Sequence, residues 1–283
     1  MYNTTKTRPL SFVSLAIVLI FPLCGYGEVN TKISPLDSKI LVTIDGGSAT
    51  KKSPIAQALA KKFNLVYIET GALYRTIAHV LIQAGIMPES KNENEINEFL
   101  EDAKCECLLE DWKIKFSING VCLTAKELRA GDINANVAKY SSLFKSINDF
   151  CTKRTQEVIN LKEIQEFNGI VAEGRTCGTY IFPEADVKFW LMAADSDKID
   201  FRLNVEKEVD NPIERDELDF SRTFHPVVKP KHAVEVWTSS RSMEENIALV
   251  SAFVEQKLDL KKHSKLQKSK IMSSRHRQKP SPI

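Results

Sequence analysis

The stretch that decides the fold reads Lys39-Ile-Leu-Val-Thr-Ile-Asp-Gly-Gly-Ser-Ala-Thr-Lys-Lys-Ser-Pro54. Its apolar run at residues 40–44 is typical of a strand buried on both faces of a parallel sheet. Gly46 and the pair Lys52-Ser53 then fit the frame G-x-x-x-x-G-K-[ST] of a phosphate-binding loop. A helix is predicted from about Ser53. The stretch therefore indicates a strand, a phosphate loop and a helix, except that Lys51 stands where the motif has its second glycine.

Short apolar runs alternate with helical segments along the rest of the chain. Further strands of this kind are predicted at 65–68, 170–172, 187–192 and 233–236. Helices are predicted at 72–84, 88–104, 128–162 with a break around Phe144, 195–209 and 243–258. Between them, short strands are predicted at 105–109, 113–118 and 121–123, and Asn119-Gly120 is a strong hairpin signal. A strand–loop–helix–strand order opens a βαβ unit, so the fold class is α/β with a parallel central sheet.

Charge is unevenly distributed along the 283 residues. The chain has 39 basic and 37 acidic residues, and eight of the basic ones lie in residues 261–283, which hold no acid. The body is therefore mildly acidic, and no specific nucleic-acid partner is expected. The basic segment 261–283 is predicted to be a disordered, solvated tail. The alternative is that it contacts an anionic surface.

The N-terminal residues resemble a targeting segment. Lys6 and Arg8 precede an apolar run at 10–23, and Gly25-Tyr-Gly27 places small residues after it. This order is typical of a secretory signal peptide, and the run is short for a membrane span. Residues 1–27 are thus predicted to be a signal-like segment and 28–38 a linker. The protein is expected to be exported, with a membrane-anchored or cytoplasmic protein as alternatives.

The cysteines indicate neither disulfides nor a metal site. Cys24 lies in the signal-like segment, and the other five are scattered, with no histidine at ligand spacing. Free, buried thiols are therefore predicted.

Five segments, in order, carry a resemblance to a known family. They are the loop from Gly46 to Ser53, Ile68-Glu-Thr-Gly-Ala-Leu-Tyr-Arg75, Ile118-Asn-Gly120, Glu173-Gly-Arg-Thr-Cys-Gly-Thr179, and Arg215-Asp-Glu-Leu-Asp219 with Arg222. Together they resemble the bacterial cytidylate kinases, P-loop nucleoside monophosphate kinases that phosphorylate CMP and dCMP. The resemblance covers about residues 39–260. It implies a three-layer P-loop kinase fold with an inserted acceptor-binding region at 85–150 and a short lid at 197–222.

The resemblance also implies the ligands and the donor-side residues. The substrates would be ATP with Mg²⁺ and a nucleoside monophosphate, and we expect a monomer. Lys52 would contact the β- and γ-phosphates, and the Ser53 hydroxyl would serve the metal. The residues implied to bind ATP are Gly46, Gly47, Ser48, Ala49, Thr50, Lys51, Lys52, Ser53 and Pro54.

Three donor-side residues depart from the family pattern. Lys51 and Ala49 replace glycines, and Pro54 replaces a threonine and has no N–H to donate. If position 51 needs a positive φ, its side chain costs about 1–2 kcal/mol. The charge of Lys51 is expected to compensate in part by staying near the phosphates. We expect ATP binding to be weakened.

The acceptor side keeps more of the pattern. By resemblance, Thr70, Arg75, Arg175, Arg215 and Asp219 would bind the acceptor, with Asp219 on the ribose. Guanidinium groups suit phosphate oxygens because their N–H donors form a planar fork. The residues implied to act in catalysis are Lys52, Arg175 and Arg222.

The residues that read cytosine in the family are replaced. Thr176 stands for an aspartate; the family serine falls at Ala138 or Lys139, and the family arginine at Ile147 or Asn148. A site without hydrogen-bonding partners for a base discriminates it weakly, so relaxed or changed base specificity is predicted.

Two functions remain open at this point. The first is an ATP-dependent nucleoside monophosphate kinase with reduced activity, because a shortened lid should slow transfer or permit hydrolysis. The second is an exported pseudokinase that binds a nucleotide or a partner without turnover. The retained lysine and arginines favour continued phosphate binding.

Overall fold

The computed structural model describes residues 17–19, 39–206 and 210–276, with side chains for 39–206 and 210–263. One sheet of eight strands forms the centre, in the order β1-β4-β5-β3-β6-β2-β7-β8. The strands are β1 (Ile17–Leu19), β2 (Ile40–Gly46), β3 (Leu65–Glu69), β4 (Cys105–Glu110), β5 (Lys113–Ile118), β6 (Gly169–Gly174), β7 (Val187–Met192) and β8 (Val234–Trp237). The pairs from β5 through β8 in that order are parallel, whereas β4 is antiparallel to both β5 and β1.

Helices cover both faces of this sheet. They are α1 (Lys52–Phe63), α2 (Thr70–Gln83), α3 (Glu93–Asp102), α4 (Gly131–Leu143), α5 (Lys145–Glu157), α6 (Asp195–Asp200), α7 (Pro212–Phe220) and α8 (Met243–His276). Short π-helical segments span Cys177–Ile181 and Phe201–Glu206.

Alternate residues of the central strand β3 pack into two separate cores. Val66 and Ile68 of β3 pack with α2, α3, α4 and α5 in one apolar cluster. Leu65 and Tyr67 of the same strand pack with α1 and α8 in the other. Because successive strand side chains point to opposite faces, the two clusters lie on opposite sides of the sheet. The structure thus has three layers, helix–sheet–helix, and the predicted α/β fold is confirmed.

The inserted region differs in detail from the prediction. Asn119 and Gly120 both adopt positive φ, as a tight hairpin turn requires, but the strand expected after them is reduced to one bridge between Ile118 and Val121. Phe144 separates α4 from α5, as expected.

The C-terminal helix is longer than predicted. It extends to His276, well into the segment for which the sequence predicts disorder. Lys261 attaches the start of that segment to the domain, since its ammonium donates to the carboxylate of Asp186 and the carbonyl of Lys39, each at 2.6 Å. Residues 277–283 lie outside the described residues.

Most of the predicted signal-like segment 1–27 and the linker 28–38 also lie outside the described residues. Within residues 17–19, 39–206 and 210–276, no helix combines the length and the apolar character needed to cross a membrane. Within the same residues the five cysteines are free thiols, as expected, with Cys122 exposed and the others buried.

Candidate functional site

The site forms at the carboxyl ends of the neighbouring parallel strands β2, β3 and β6. Asp45, at the end of β2, is fully buried and accepts hydrogen bonds from the backbone N–H groups of Cys177 and Gly178, both at 2.7 Å. Burial raises the pKa of Asp45 to about 6. These two bonds fix the segment after β6 against the start of the phosphate loop. The sheet edge therefore brings the loop and the Glu173–Arg175 segment together, as crevices in open α/β sheets do.

The phosphate loop has the backbone shape that its motif demands, although it lacks two of the glycines. Ala49 has φ 52° and Lys51 has φ 65°, both in the left-handed region that favours glycine. Gly46 has φ 152°, and a Cβ there would stand 2.3 Å from the carbonyl oxygen of Leu191. Position 51 thus has the positive φ at which a side chain is strained, and Ala49 is a second such position.

Lys52 lies inside the cavity that the loop borders. Its ammonium donates to the Gly47 carbonyl and lies 3.4 Å from the hydroxyl of Thr50. Burial, together with the nearby charge of Arg175, lowers the pKa of Lys52 to about 8. A half-buried cation beside backbone N–H donors is suited to bind a phosphate.

Lys51 points elsewhere. Its ammonium donates to the carbonyl oxygen of Thr238, just after β8, at 3.1 Å. The side chain of Lys51 thus extends from the loop to the end of β8. The expectation that this charge stays with the phosphates is therefore not met, because the ammonium is already bound to a carbonyl.

Ser53 and Glu173 form a pair of oxygen ligands beside the loop. The Ser53 hydroxyl donates to Glu173 Oε1 at 2.8 Å, and the hydroxyl of Tyr67 donates to the same oxygen at 3.2 Å. Burial raises the pKa of Glu173, and the neighbouring Glu69 adds to this effect. Hydroxyl and carboxylate oxygens suit Mg²⁺, which takes few protein ligands and keeps water and phosphate oxygens. The described residues contain no cluster of three acidic, histidine or cysteine side chains. A magnesium site with few protein ligands does not need such a cluster.

Asp219 is the centre of the acceptor side. Its carboxylate is 2% exposed and is bound by three arginines: Arg222 at 3.0 Å, Arg175 at 3.1 Å and Arg215 at 3.5 Å. Burial alone would raise the pKa of Asp219, but the three arginine charges outweigh it and the net pKa is lowered. One buried carboxylate thus holds three guanidinium groups at the cavity.

The remaining acceptor residues link this cluster to other elements. Arg215 donates to the backbone carbonyl of Asn134 in α4 at 3.1 Å, and burial lowers its pKa to about 10. Thr70 begins α2 and donates its hydroxyl hydrogen to the Glu173 carbonyl at 2.9 Å. Arg75 lines the same cavity. The sequence-predicted acceptor residues therefore converge.

One cavity of about 120 Å³ collects most of the predicted site residues. Those that line it are Ser48, Ala49, Lys52, Ser53, Thr70, Arg75, Arg175, Arg215, Asp219 and Arg222. Gly46, Gly47, Thr50, Lys51 and Pro54 shape the loop without lining the cavity.

The residues that stand at the positions of the family's base readers offer few free hydrogen-bonding groups. Ala138 and Ile147 are buried and apolar. Lys139 is paired with Glu89 on the surface at 2.7 Å. Asn148 is fully buried, where it donates to the carbonyls of Ser141 and Phe144 and accepts from the hydroxyl of Tyr74. Whichever way the ambiguous positions are matched, none of these residues presents a free group to a base, and of the replaced readers only Thr176 lines the cavity.

Sequence reasoning missed three residues of the site. Asp216 in α7 accepts from the backbone N–H of Ser48 at 2.5 Å. Arg202 is 6% exposed and donates to the Ser48 hydroxyl at 3.2 Å. Glu173, the third residue, was given no role by the sequence analysis, although it accepts from the Ser53 hydroxyl. Asp216 and Glu173 both lie within the segments that resemble the family. Their contacts, however, are visible only in the folded chain.

Comparison with known proteins agrees with this geometry. A model of the cytidylate kinase family matches residues 42–256. The cytidylate kinase of Fusobacterium nucleatum is 34% identical over 76% of this chain and 97% of its own length. That of Bacillus subtilis (strain 168) is 29% identical over 78% of this chain and 99% of its own.

Among solved structures, a gluconokinase from Sinorhizobium meliloti aligns over 81% of this chain and 98% of its own, with a TM-score of 0.40 and 12% identity. Similarity at this level supports no conclusion about function. The family match, by contrast, spans most of the chain and contains every residue of the cavity described above. The protein therefore belongs to the cytidylate kinase family of nucleoside monophosphate kinases.

Proposed function

We propose that this protein transfers the terminal phosphate of ATP to a nucleoside monophosphate, and that it binds the acceptor through sugar and phosphate with little discrimination between bases. The observation that carries the proposal is the convergence of Lys52 with Arg175, Arg215 and Arg222 around one cavity. Phosphoryl transfer depends on alignment and charge neutralisation more than on covalent chemistry, and these cations supply both.

Each group has a task in this reaction. Lys52 and the loop N–H groups would hold the donor phosphates, and Arg175 and Arg222 would neutralise charge on the phosphate in transfer. Arg75 and Arg215 would bind the acceptor phosphate. Asp219, already bound by three arginines, would orient those arginines as well as accept from the ribose.

Magnesium would enter between the phosphates and the pair Ser53 and Glu173. Ser53 and Glu173, whose oxygens lie 2.8 Å apart, would hold the ion, and it would supply positive charge that neutralises the phosphates.

The proposal of weak base discrimination is supported by the residues at the positions of the family's base readers. Ala138 and Ile147 carry no polar side-chain group. Of the two alternative residues, Lys139 is paired with Glu89 and Asn148 donates to the carbonyl of Ser141. A pocket that makes no hydrogen bonds to a base distinguishes bases only by shape, with factors of about 10–200 rather than 10⁴ or more.

The test is an assay of ADP release by the purified protein with Mg-ATP and CMP, UMP, AMP or GMP. We expect turnover with more than one base, and values of kcat/KM for CMP and UMP that differ by less than about tenfold. Lys52→Ala serves as the inactive control. A preference for CMP of several hundredfold would overturn the claim about base discrimination.

A restoring variant sharpens this test. Thr176→Asp returns the carboxylate that the family uses on the base to a residue that lines the cavity. We expect it to raise the kcat/KM ratio of CMP to UMP by about tenfold. If the ratio stays unchanged, the base lies elsewhere.

A second function, a pseudokinase, is supported by Lys51. Its left-handed backbone and its bond to Thr238 show that the loop lacks the glycine that its shape favours. This proposal predicts no ADP release above Lys52→Ala with any monophosphate. Lys51→Gly combined with Pro54→Thr should then produce turnover if the loop alone is defective.

Export remains a proposal that rests on Lys6, Arg8 and the apolar run at 10–23. The N-terminal residue of the mature protein would test it, with a new N-terminus near residue 28 as the expected result. An intact Met1 on protein in the cytoplasm would contradict it.

A further inference from the structure

One carboxylate, that of Asp216, lies on the phosphate loop itself. It is 4% exposed, and Oδ1 accepts from the backbone N–H of Ser48 at 2.5 Å. Loop N–H groups at this place are donors that a phosphate loop offers to an anion. The donor of Ser48 is therefore already bound to an anion supplied by the protein.

Two cations complete the surroundings of Asp216. Arg175 donates to Oδ1 at 3.2 Å, and the ammonium of Lys198 lies 3.2 Å from Oδ2. Backbone N–H, guanidinium and ammonium are also the groups that bind a phosphate in this class of site. The carboxylate thus sits in an environment built for a phosphate oxygen.

The close approach depends on Gly47. A Cβ at this residue would stand 2.5 Å from Asp216 Oδ2, and the three nearest atoms all belong to that carboxylate. Gly47 does not have a left-handed backbone. The space beside Gly47 is thus filled by Asp216 and not by the loop.

The consequence for a nucleotide is direct. A donor phosphate that approaches Ser48 meets a carboxylate of the same charge, and the two repel each other at short range. The cavity, at about 120 Å³, is also smaller than the roughly 300–1,000 Å³ of typical ligand pockets. A phosphate oxygen that accepts from the Ser48 N–H would have to take the place of the Asp216 carboxylate.

We propose that Asp216 is an autoinhibitory latch: its carboxylate occupies the anion-binding edge of the phosphate loop, and the donor phosphate must displace it from Ser48, Arg175 and Lys198. The inference rests on the proposed binding of ATP phosphates by this loop. The displaced carboxylate stays on α7, so that its release removes one anionic partner from Arg175 and one from Lys198 at the same moment.

The test measures binding of inorganic tripolyphosphate and of Mg-ATP by calorimetry to the full-length protein and three variants. Asp216→Asn removes the charge at nearly the same shape, and Gly47→Ala leaves Asp216 intact but pushes it off the loop. Both should bind tripolyphosphate about tenfold more tightly than the unmodified protein. Asp195→Asn is the matched control, because Asp195 also pairs with Lys198, at 3.1 Å, but is 67% exposed and does not touch the loop. It should bind as the unmodified protein does.

The outcomes separate the two proposals. Equal or weaker binding by Asp216→Asn, in a protein that still shows turnover, overturns the latch and leaves the proposed function standing. Absence of binding and of turnover in every variant overturns both. If Asp216→Asn does not fold, Gly47→Ala decides alone: tighter binding supports the latch, and unchanged or weaker binding contradicts it.

Discussion

The phosphate loop after β2 and the arginine cluster around Asp219 line the same cavity, but the groups that they offer to a ligand differ. The loop binds through backbone groups, so its function depends on φ angles that suit glycine. Two of its left-handed positions, Ala49 and Lys51, carry side chains. The cluster binds through side chains, and Arg175, Arg215 and Arg222 all remain in contact with one buried carboxylate.

Because of this difference, a single substitution should affect the two halves of the cavity differently. A substitution in the loop changes the backbone energy and the direction of one side chain, and the loop keeps its shape at a cost. A substitution in the cluster leaves several buried charges unbalanced. The cluster should therefore respond far more strongly than the loop to a single change.

Asp219→Ala is expected to have the largest effect. It removes the only carboxylate that contacts all three of Arg175, Arg215 and Arg222 among the described residues. Breaking a buried ion pair typically costs about 3–5 kcal/mol in the free energy of unfolding. Urea denaturation measures this loss. The exposed Asp195→Ala is the control and should change stability by less than about 1 kcal/mol. Equal losses in the two variants would contradict the central role of Asp219.

Lys52 gives a prediction of intermediate size, through pH. Its pKa in the folded protein is about 8, because burial and Arg175 disfavour the charge. Values of kcat/KM report the free enzyme, so they should fall about tenfold per pH unit above pH 8 as Lys52 loses its proton. Lys52→Arg keeps the charge and should show a lower but flat profile up to pH 9.5. A flat profile in the unmodified protein would remove Lys52 from donor binding.

The same shift fixes the sign of a stability change. The folded-state pKa of about 8 lies below the unfolded value of about 10.4, so the unfolded chain binds more protons between these values. The contribution of Lys52 to the free energy of unfolding should therefore become more favourable as the pH rises from 8 toward 10.4. Thermal unfolding at pH 7.5 and 9.5 measures it, and in Lys52→Met this contribution should vanish.

Lys51→Gly is expected to have the smallest effect on stability, and a favourable one. Glycine relieves a left-handed backbone by about 1–2 kcal/mol, from which the lost bond to Thr238 subtracts. A rise of a few degrees in Tm would show it. Asn64→Gly is the matched control, since Asn64 also has a positive φ of 52° but asparagine tolerates this region. A fall in Tm for Lys51→Gly would mean that the bond to Thr238 matters more than the strain.

Prediction from the sequence was most successful where the residue types in a short segment decide its backbone conformation. The apolar run of β2 and the turn at Asn119-Gly120 were predicted from local rules, and the structure confirms both, although the strand expected after the turn is reduced to one bridge. The end of α8 was not, because the Lys-rich segment after Leu260 is compatible with both helix and coil, and its anchor, Lys261 to Asp186, is made over a long separation in sequence.

The sequence by itself determined the α/β class and the frame of the phosphate loop, because periodicity and motif spacing are local properties, whereas the three-layer fold and the roles of the arginines came from the resemblance to a known family. Only the tertiary structure decided what those groups contact. It sends the ammonium of Lys51 to Thr238, ties Asn148 into the turn between α4 and α5, and lays Asp216 on the loop N–H of Ser48. The reason is that each contact joins residues whose relative position no motif specifies. Packing and the local backbone decide where such a side chain points.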